Sequence, residues 1–150
     1  MTDSIKPISD SFSAAGQVSA DDLQQAAAQG FKSVLNLRSP DEPGFSVNEQ
    51  HQAEAAGLDY TNVPLNPSQA EEDKIATALA ALEALPQPTL IHCAAGARAG
   101  AIALIATATQ AKLTAEEVII KAQQAGLNPE QPHLHQFVES LRSESTPDHV

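Results

Sequence analysis

From Phe12 onwards, short apolar runs alternate with longer stretches in which apolar residues recur every three or four positions. That alternation predicts an α/β domain, with brief buried strands between amphipathic helices. Ser11–Ala15 is the first strand candidate. Ser19 then stands as an N-cap, with Asp21 and Asp22 in the first turn of a helix that ends at Gly30. A second strand, Phe31–Leu37, leads into the proline-rich loop from Arg38 to Gly44. The helix over 48–56 stops at Gly57, and Leu58–Val63 is a third strand. Ser68-x-x-Glu71 reads as a capping box opening a helix over 70–85, whose Ile75, Leu79, Leu82 and Leu85 share one face. Thr89–Cys93 is a fourth strand, and Arg98 opens the next helix. Thr114 and Glu117 cap another helix, which ends at Gly126. Asn128-Pro129 predicts the start of the last one, and the polar tail 143–150 is expected to fray.

No repeat, linker or boundary interrupts the 150 residues, so one domain is expected, with its core over about 5–142. The net charge of −11, from 8 Lys plus Arg against 19 Asp plus Glu, argues against nucleic acid and anionic membrane surfaces as partners. No stretch has the apolar length of a signal peptide or a membrane span, so a cytoplasmic location is expected. The single cysteine excludes an internal disulfide and a thiolate-rich zinc site. No metal site and no cofactor are expected. His133 and His135, two apart on a helix, make poor joint ligands, and His51 stands alone.

If the strands are parallel, their carboxyl ends share one edge of the sheet, where ligands of open α/β sheets bind. Gln17, Arg38, the 64–73 loop and Cys93 would meet there. The informative segment is Leu90-Ile-His-Cys-Ala-Ala-Gly-Ala-Arg-Ala-Gly100. A cysteine between a buried strand and a helix start lies where backbone N–H groups converge, an arrangement that stabilises a thiolate and then an oxyanion. Ala94, Ala95, Gly96 and Ala97 supply backbone and little else, and Gly96 permits a tight loop. Arg98 adds a planar fork for an oxyanion, at a helix position electrostatically poor for an unpaired cation. Alternatively, Cys93 is a small buried hydrophobe, His92 a satisfied strand-end histidine and Arg98 an exposed arginine.

The segment His92-Cys93-x-x-Gly96-x-Arg98 resembles the signature loop of cysteine-dependent phosphatases and of rhodaneses. With Ser13–Gln17, Gly30–Arg38, Asp41-Glu42 and Gly57–Pro64, the wider chain resembles the phosphatase-like domain of the beta-lactamase-hydrolase-like proteins, a bacterial branch of the dual-specificity-like phosphatase superfamily. The resemblance implies a three-layer α/β/α fold around a four-stranded, mainly parallel sheet. It also implies Cys93 as nucleophile, Arg98 as oxyanion clamp, His92 as a donor that fixes the loop, and the amides of 94–98 as the anion cradle.

Three departures qualify this. Phosphatases of that superfamily carry one residue more between Cys and Arg, a serine or threonine after the arginine where this chain has Ala99, and an aspartate that protonates the leaving oxygen. Asn66 stands near that aspartate's place. Glu71, Glu72 and Asp73 are nearby alternatives, although helix capping already explains them. Arg38 either touches an anionic substrate or pairs with Asp41 or Glu42 to order its own loop. Gln17 is a loop hydrogen-bonder first and a substrate contact second.

The leading expectation is a phosphoric monoester hydrolase working through a Cys93 phosphocysteine on a small anionic substrate. A rhodanese-like sulfurtransferase, taking a sulfane-sulfur donor through a Cys93 persulfide, is the alternative suggested by the short loop. A catalytically inactive anion-binding module is the third reading.

Overall fold

The computed structural model describes residues 5–145. In chain order its elements are β1 (Lys6–Pro7), β2 (Phe12–Ala15), α1 (Ala20–Ala28), β3 (Ser33–Asn36), α2 (Glu49–Ala55), β4 (Asp59–Asn62), α3 (Glu72–Ala84), β5 (Thr89–His92), α4 (Ala97–Ala111), α5 (Ala115–Gln124) and α6 (Pro132–Ser145). The sheet order is β1-β2-β5-β3-β4. β2, β5, β3 and β4 run parallel, as expected.

The sheet has five strands where four were expected. β1 pairs antiparallel with β2, placing Lys6 opposite Ala14 and Pro7 opposite Ser13. Two exposed residues carry no period-2 apolar signal, so composition hides such a strand. Proline is tolerated there because β1 is an edge.

Period-2 alternation along the central strands builds two cores. Val34 and Leu90 pack with Leu23 and Ala26 of α1 and Ala53 of α2 on one face. Leu35 and Ile91, one residue on, pack with α3 to α6 on the other, against Leu82, Ile102, Val118 and Leu134. α4 is buried along most of its length, which explains why its sequence is apolar all round. The result is the expected α/β/α sandwich, with β5 at the centre of the sheet and its carboxyl end pointing at the start of α4.

Both outer capping boxes form. Ser19 Oγ accepts from Asp22 N–H (3.1 Å) while Ser19 N–H donates to Asp22 Oδ2 (2.9 Å). Thr114 and Glu117 do the same. Two predicted helix starts move. Asn66 Oδ1 accepts from the N–H groups of Ser68 (2.9 Å) and Gln69 (3.1 Å), so Ser68 lies inside an Asx turn and α3 begins four residues later. Likewise Asn128 Oδ1 accepts from Glu130 N–H (2.9 Å), closing a turn. The last helix starts at Pro132 instead, with Gln131 Oε1 accepting from Leu134 N–H (3.0 Å). It runs to Ser145, through the first part of the tail expected to fray. The remainder of that tail, 146–150, lies outside the described residues.

Candidate active site

β5 delivers Cys93 to the carboxyl edge between β2 and β3, where Cys93 N–H donates to Ala15 O (3.2 Å). The chain turns at Gly96, which adopts φ +102° as N-cap of α4. A left-handed backbone at that point needs glycine, because a Cβ would clash with the following carbonyl. The turn aims Gly96 N–H (3.1 Å) and Ala99 N–H (3.4 Å) at Cys93 Sγ. Cys93 is only 1% exposed, so the sulfur forms the floor of the loop at the positive end of α4. The neighbouring β2–α1 connection holds the loop's outer edge. Gln17 N–H donates to Ala94 O (3.1 Å), and a Cβ on Gly16 would come within 3.0 Å of that same oxygen.

Arg98 lies almost wholly buried beside the sulfur. Its Nη1 donates to Leu65 O (2.9 Å), Leu37 O (3.3 Å) and Glu42 Oε2 (2.8 Å), and Nη2 donates to Glu42 Oε1 (3.0 Å). None of these bonds uses Nε. Glu42's hydrogen bonds and the neighbouring Cys93 raise the Arg98 pKa above its ordinary value, against the opposing effect of burial. In return, the Arg98 hydrogen bond, helped by Ser39 N–H and Arg38, lowers the Glu42 carboxyl to about 2.

Arg38, two residues beyond β3 on this same edge, is buried and serves its own loop. Nε donates to Glu42 Oε1 (3.1 Å), and Nη1 donates to Gln17 Oε1 (2.6 Å) and Gly44 O (3.2 Å). Nη2 donates to Pro43 O. The pairing with Glu42 that the sequence offered as one alternative is therefore present. Gln17 is the expected loop hydrogen-bonder, linking Arg38 on one side to Glu49 Oε1 (3.0 Å) on the other.

His92 is fully buried between two oxygen acceptors. Its Nε2 meets Glu49 Oε2, and its Nδ1 lies 3.3 Å from Cys93 O. The pair ties the residue before Cys93 to α2 and sets the imidazole against the Cys93 carbonyl. Sequence reasoning missed Glu49, which reads as an ordinary acidic residue in a helix's first turn. The available signal was its i, i+4 spacing to Ala53, for both are buried on the same face of α2.

The 64–73 region contributes less. Asn66 is committed to its turn, and Glu71, Glu72 and Asp73 are exposed at the entry to α3. His133 is buried and His135 pairs with Glu130 (3.3 Å), so the two point apart as expected. Among the described residues, no group of three or more His, Cys, Asp or Glu could hold a metal ion, and no helix is long and apolar enough to cross a membrane.

The sequence matches the family described as beta-lactamase hydrolase-like protein, phosphatase-like domain, over residues 4–112. The chain belongs to that family. The chain is similar to a beta-lactamase hydrolase-like protein of Agrobacterium fabrum, 29% identical over 115 residues, which cover 74% of this chain and 26% of that protein. The chain thus spans about a quarter of the length of the curated relatives it matches. Two solved structures show the same fold. Tk-PTP in its active form superposes with a TM-score of 0.77 at 19% identity, covering 95% of this chain and 99% of that one. The core catalytic domain of the PP-IP phosphatase SIW14 from S. cerevisiae, in complex with citrate, gives 0.71 at 16% identity, covering 95% and 87%. The phosphatase-like domain therefore has the architecture of phosphatases of the protein-tyrosine and dual-specificity type.

Proposed function

We propose that this phosphatase-like domain is a cysteine-dependent hydrolase of small phosphoric monoesters. The observation that carries the reading is the convergence of Gly96 N–H and Ala99 N–H on a buried Cys93 sulfur, with Arg98 held beside it by Glu42. Two amides, a helix N-terminus and a guanidinium converge where the equatorial oxygens of a transferring phosphoryl group would lie. The Cys93 thiolate forms the S–P bond as the ester P–O bond breaks, and the departing oxygen takes the electron pair. Water then attacks phosphorus and releases inorganic phosphate and the thiolate. Arg98 binds the oxyanion through Nε and the free edge of Nη2, and Ala94–Ala97 supply the cradle. His92 and Glu49 fix the loop, while Arg38 and Gln17 hold Glu42 and Glu49 in register. Since Asn66 carries no transferable proton and Glu71–Asp73 are solvated, esters of acidic alcohols and phenols suit the site best. The SIW14 complex with citrate is a precedent, in the same fold, for a small anion.

The test is turnover of p-nitrophenyl phosphate by the purified protein, with Cys93→Ser as control and acid-quench mass spectrometry for phosphocysteine. Turnover lost in Cys93→Ser supports the reading. No turnover and no vanadate binding overturn it.

A specific observation favours a second reading. The cradle is one residue short, Ala99 offers no hydroxyl, and the sulfur is almost completely enclosed. Such a loop suits a compact Cys93 persulfide, formed when the thiolate attacks the outer sulfur of a sulfane-sulfur donor such as thiosulfate, whose own S–S bond breaks with its electron pair leaving on sulfite. Thiosulfate treatment followed by mass spectrometry decides it. A gain of one sulfur on Cys93, with thiocyanate formed from cyanide, supports sulfur transfer. Phosphate binding that survives Cys93→Ser, with neither activity in the parent, identifies an inactive anion-binding module instead.

A further inference from the structure

A cleft of about 380 Å³ opens against the outer wall of the Cys93 loop, on the β2 side, within the range of small-ligand sites. Ala95, Gly96 and Ala97 form one wall. Ala101, Leu127 and Leu134 give it an apolar surface, and Lys6, Asn128 and Gln131 add polar groups. In a chain carrying 19 acidic residues, no Asp or Glu lines this cleft. Lys6 forms no ion pair among the described residues, and its ammonium reaches to within 3.3 Å of where a Gly126 Cβ would stand. Asn128 spends Oδ1 on Glu130 N–H, which leaves its NH2 group as a donor.

The far side of the loop is taken up by side chains that hold it. Gln17, Arg38, Glu42 and Glu49 fill it with the hydrogen bonds described above, and Leu65 O closes on Arg98. The cleft on the Lys6 side shares Ala95, Gly96 and Ala97 with the loop, so it is a furnished continuation for a group held there. We propose that this cleft is the subsite for the organic part of the substrate, and that it selects a compact apolar body bearing a second anionic group, which Lys6 meets. The assignment deepens the phosphomonoesterase reading and rests on it for the identity of the first anion. Strand β1, pinned by the pairing of Lys6 with Ala14, is what brings the cation to the cleft.

The experiment compares phenyl phosphate with 4-carboxyphenyl phosphate in the parent and in Lys6→Gln. The parent is expected to favour the carboxylated ester in kcat/KM by roughly two- to fivefold at low ionic strength, the size of an exposed ion pair. That preference is expected to vanish in Lys6→Gln, and in the parent at high salt. Independently of turnover, titrating 4-carboxyphenyl phosphate into ¹⁵N-labelled Cys93→Ser is expected to shift the amides of Gly126, Leu127 and Asn128, with weaker affinity once Lys6→Gln is added. If neither ester is hydrolysed but these shifts appear and depend on Lys6, the catalytic reading fails and the subsite stands. A preference unaffected by Lys6→Gln, or no shift at Gly126–Asn128, overturns the subsite.

Discussion

Glu42 and Arg98 meet in a two-pronged fork, Oε2 to Nη1 at 2.8 Å and Oε1 to Nη2 at 3.0 Å, and Arg38 Nε closes on the same Oε1 at 3.1 Å. One carboxylate thus balances two buried guanidinium groups and aims the one beside Cys93. Removing its charge in Glu42→Gln leaves both cations uncompensated, a change expected to destabilise the protein by about 3 kcal/mol. A urea midpoint measurement checks this. A midpoint within error of the parent would show that the fork contributes nothing.

The same fork sets a pH limit. Glu42 falls from its ordinary 4.5 to about 2 on folding, so between those values the unfolded chain binds more protons than the folded one. Its contribution to stability is complete above pH 4.5 and is lost as the pH falls through about 2. The full shift corresponds to roughly 3 kcal/mol, which water at the outer edge of the pair screens to about 1–2 kcal/mol. Acid titration of the unfolding midpoint is expected to show this limb in the parent and a flatter one in Glu42→Gln. Parallel curves would refute it.

Much of this arrangement was legible in the chain, for identifiable reasons. Cys93, Gly96 and Arg98 are local to one strand–loop–helix unit, so their spacing alone places them together. Arg38 and Glu42 lie within one short loop, and their pairing followed from that. Glu49 and Lys6 were missed because their positions depend on tertiary packing. Glu49 meets His92 across 43 residues of sequence, and Lys6 reaches the site through a two-residue strand with no pattern of its own. The helix starts predicted at Ser68 and Asn128 moved because each lies in a turn closed by an asparagine side chain.

Glu49→Gln tests the buried pair behind the loop. Gln keeps one oxygen but turns an NH2 group toward either His92 Nε2 or the Gln17 amide, so the two contacts that Glu49 makes cannot both persist unchanged. The anchoring of the loop behind Cys93 is then weakened, and alkylation of Cys93 by iodoacetamide at neutral pH is expected to change several-fold. Stability is expected to drop by about 1–3 kcal/mol. An alkylation rate equal to the parent's would show that Glu49 and His92 do not position the Cys93 loop.

Gly16→Ala probes how the loop is held from outside. The added Cβ would stand 3.0 Å from Ala94 O, an atom already fixed by Gln17 N–H, so backbone has to move. The loop is expected to shift, with a stability loss of about 1–3 kcal/mol from overpacking and a lower alkylation rate at Cys93. Gly57→Ala is the control, since its Cβ meets nothing within 4 Å and its φ of +88° adds backbone strain alone. If both variants lose stability while only Gly16→Ala changes Cys93 reactivity, the contact is specific to the loop. Equal reactivity in the two would discard it.

Ala99→Ser separates the two chemistries proposed for Cys93. Ala99 is wholly buried, and its N–H already points at the sulfur from 3.4 Å, so a hydroxyl on this residue enters the same small space. Burying that hydroxyl costs about 1–3 kcal/mol unless it finds a partner, and the Cys93 sulfur is the polar atom nearest the residue's own N–H. If phosphocysteine is the intermediate, a donor to Sγ stabilises the thiolate as the S–P bond breaks and speeds the hydrolytic step. Pre-steady-state kinetics with p-nitrophenyl phosphate are then expected to show a burst in the parent that shrinks in Ala99→Ser, while the steady-state rate rises several-fold. Under sulfur transfer, the same hydroxyl stabilises the free thiolate relative to the persulfide, so loading by thiosulfate is expected to slow while discharge to cyanide, in which the thiolate leaves, is expected to speed up, with no p-nitrophenol burst in either protein. A burst unchanged by the substitution, in a variant whose unfolding midpoint confirms that it is folded, would rule out thiolate departure as the slow step.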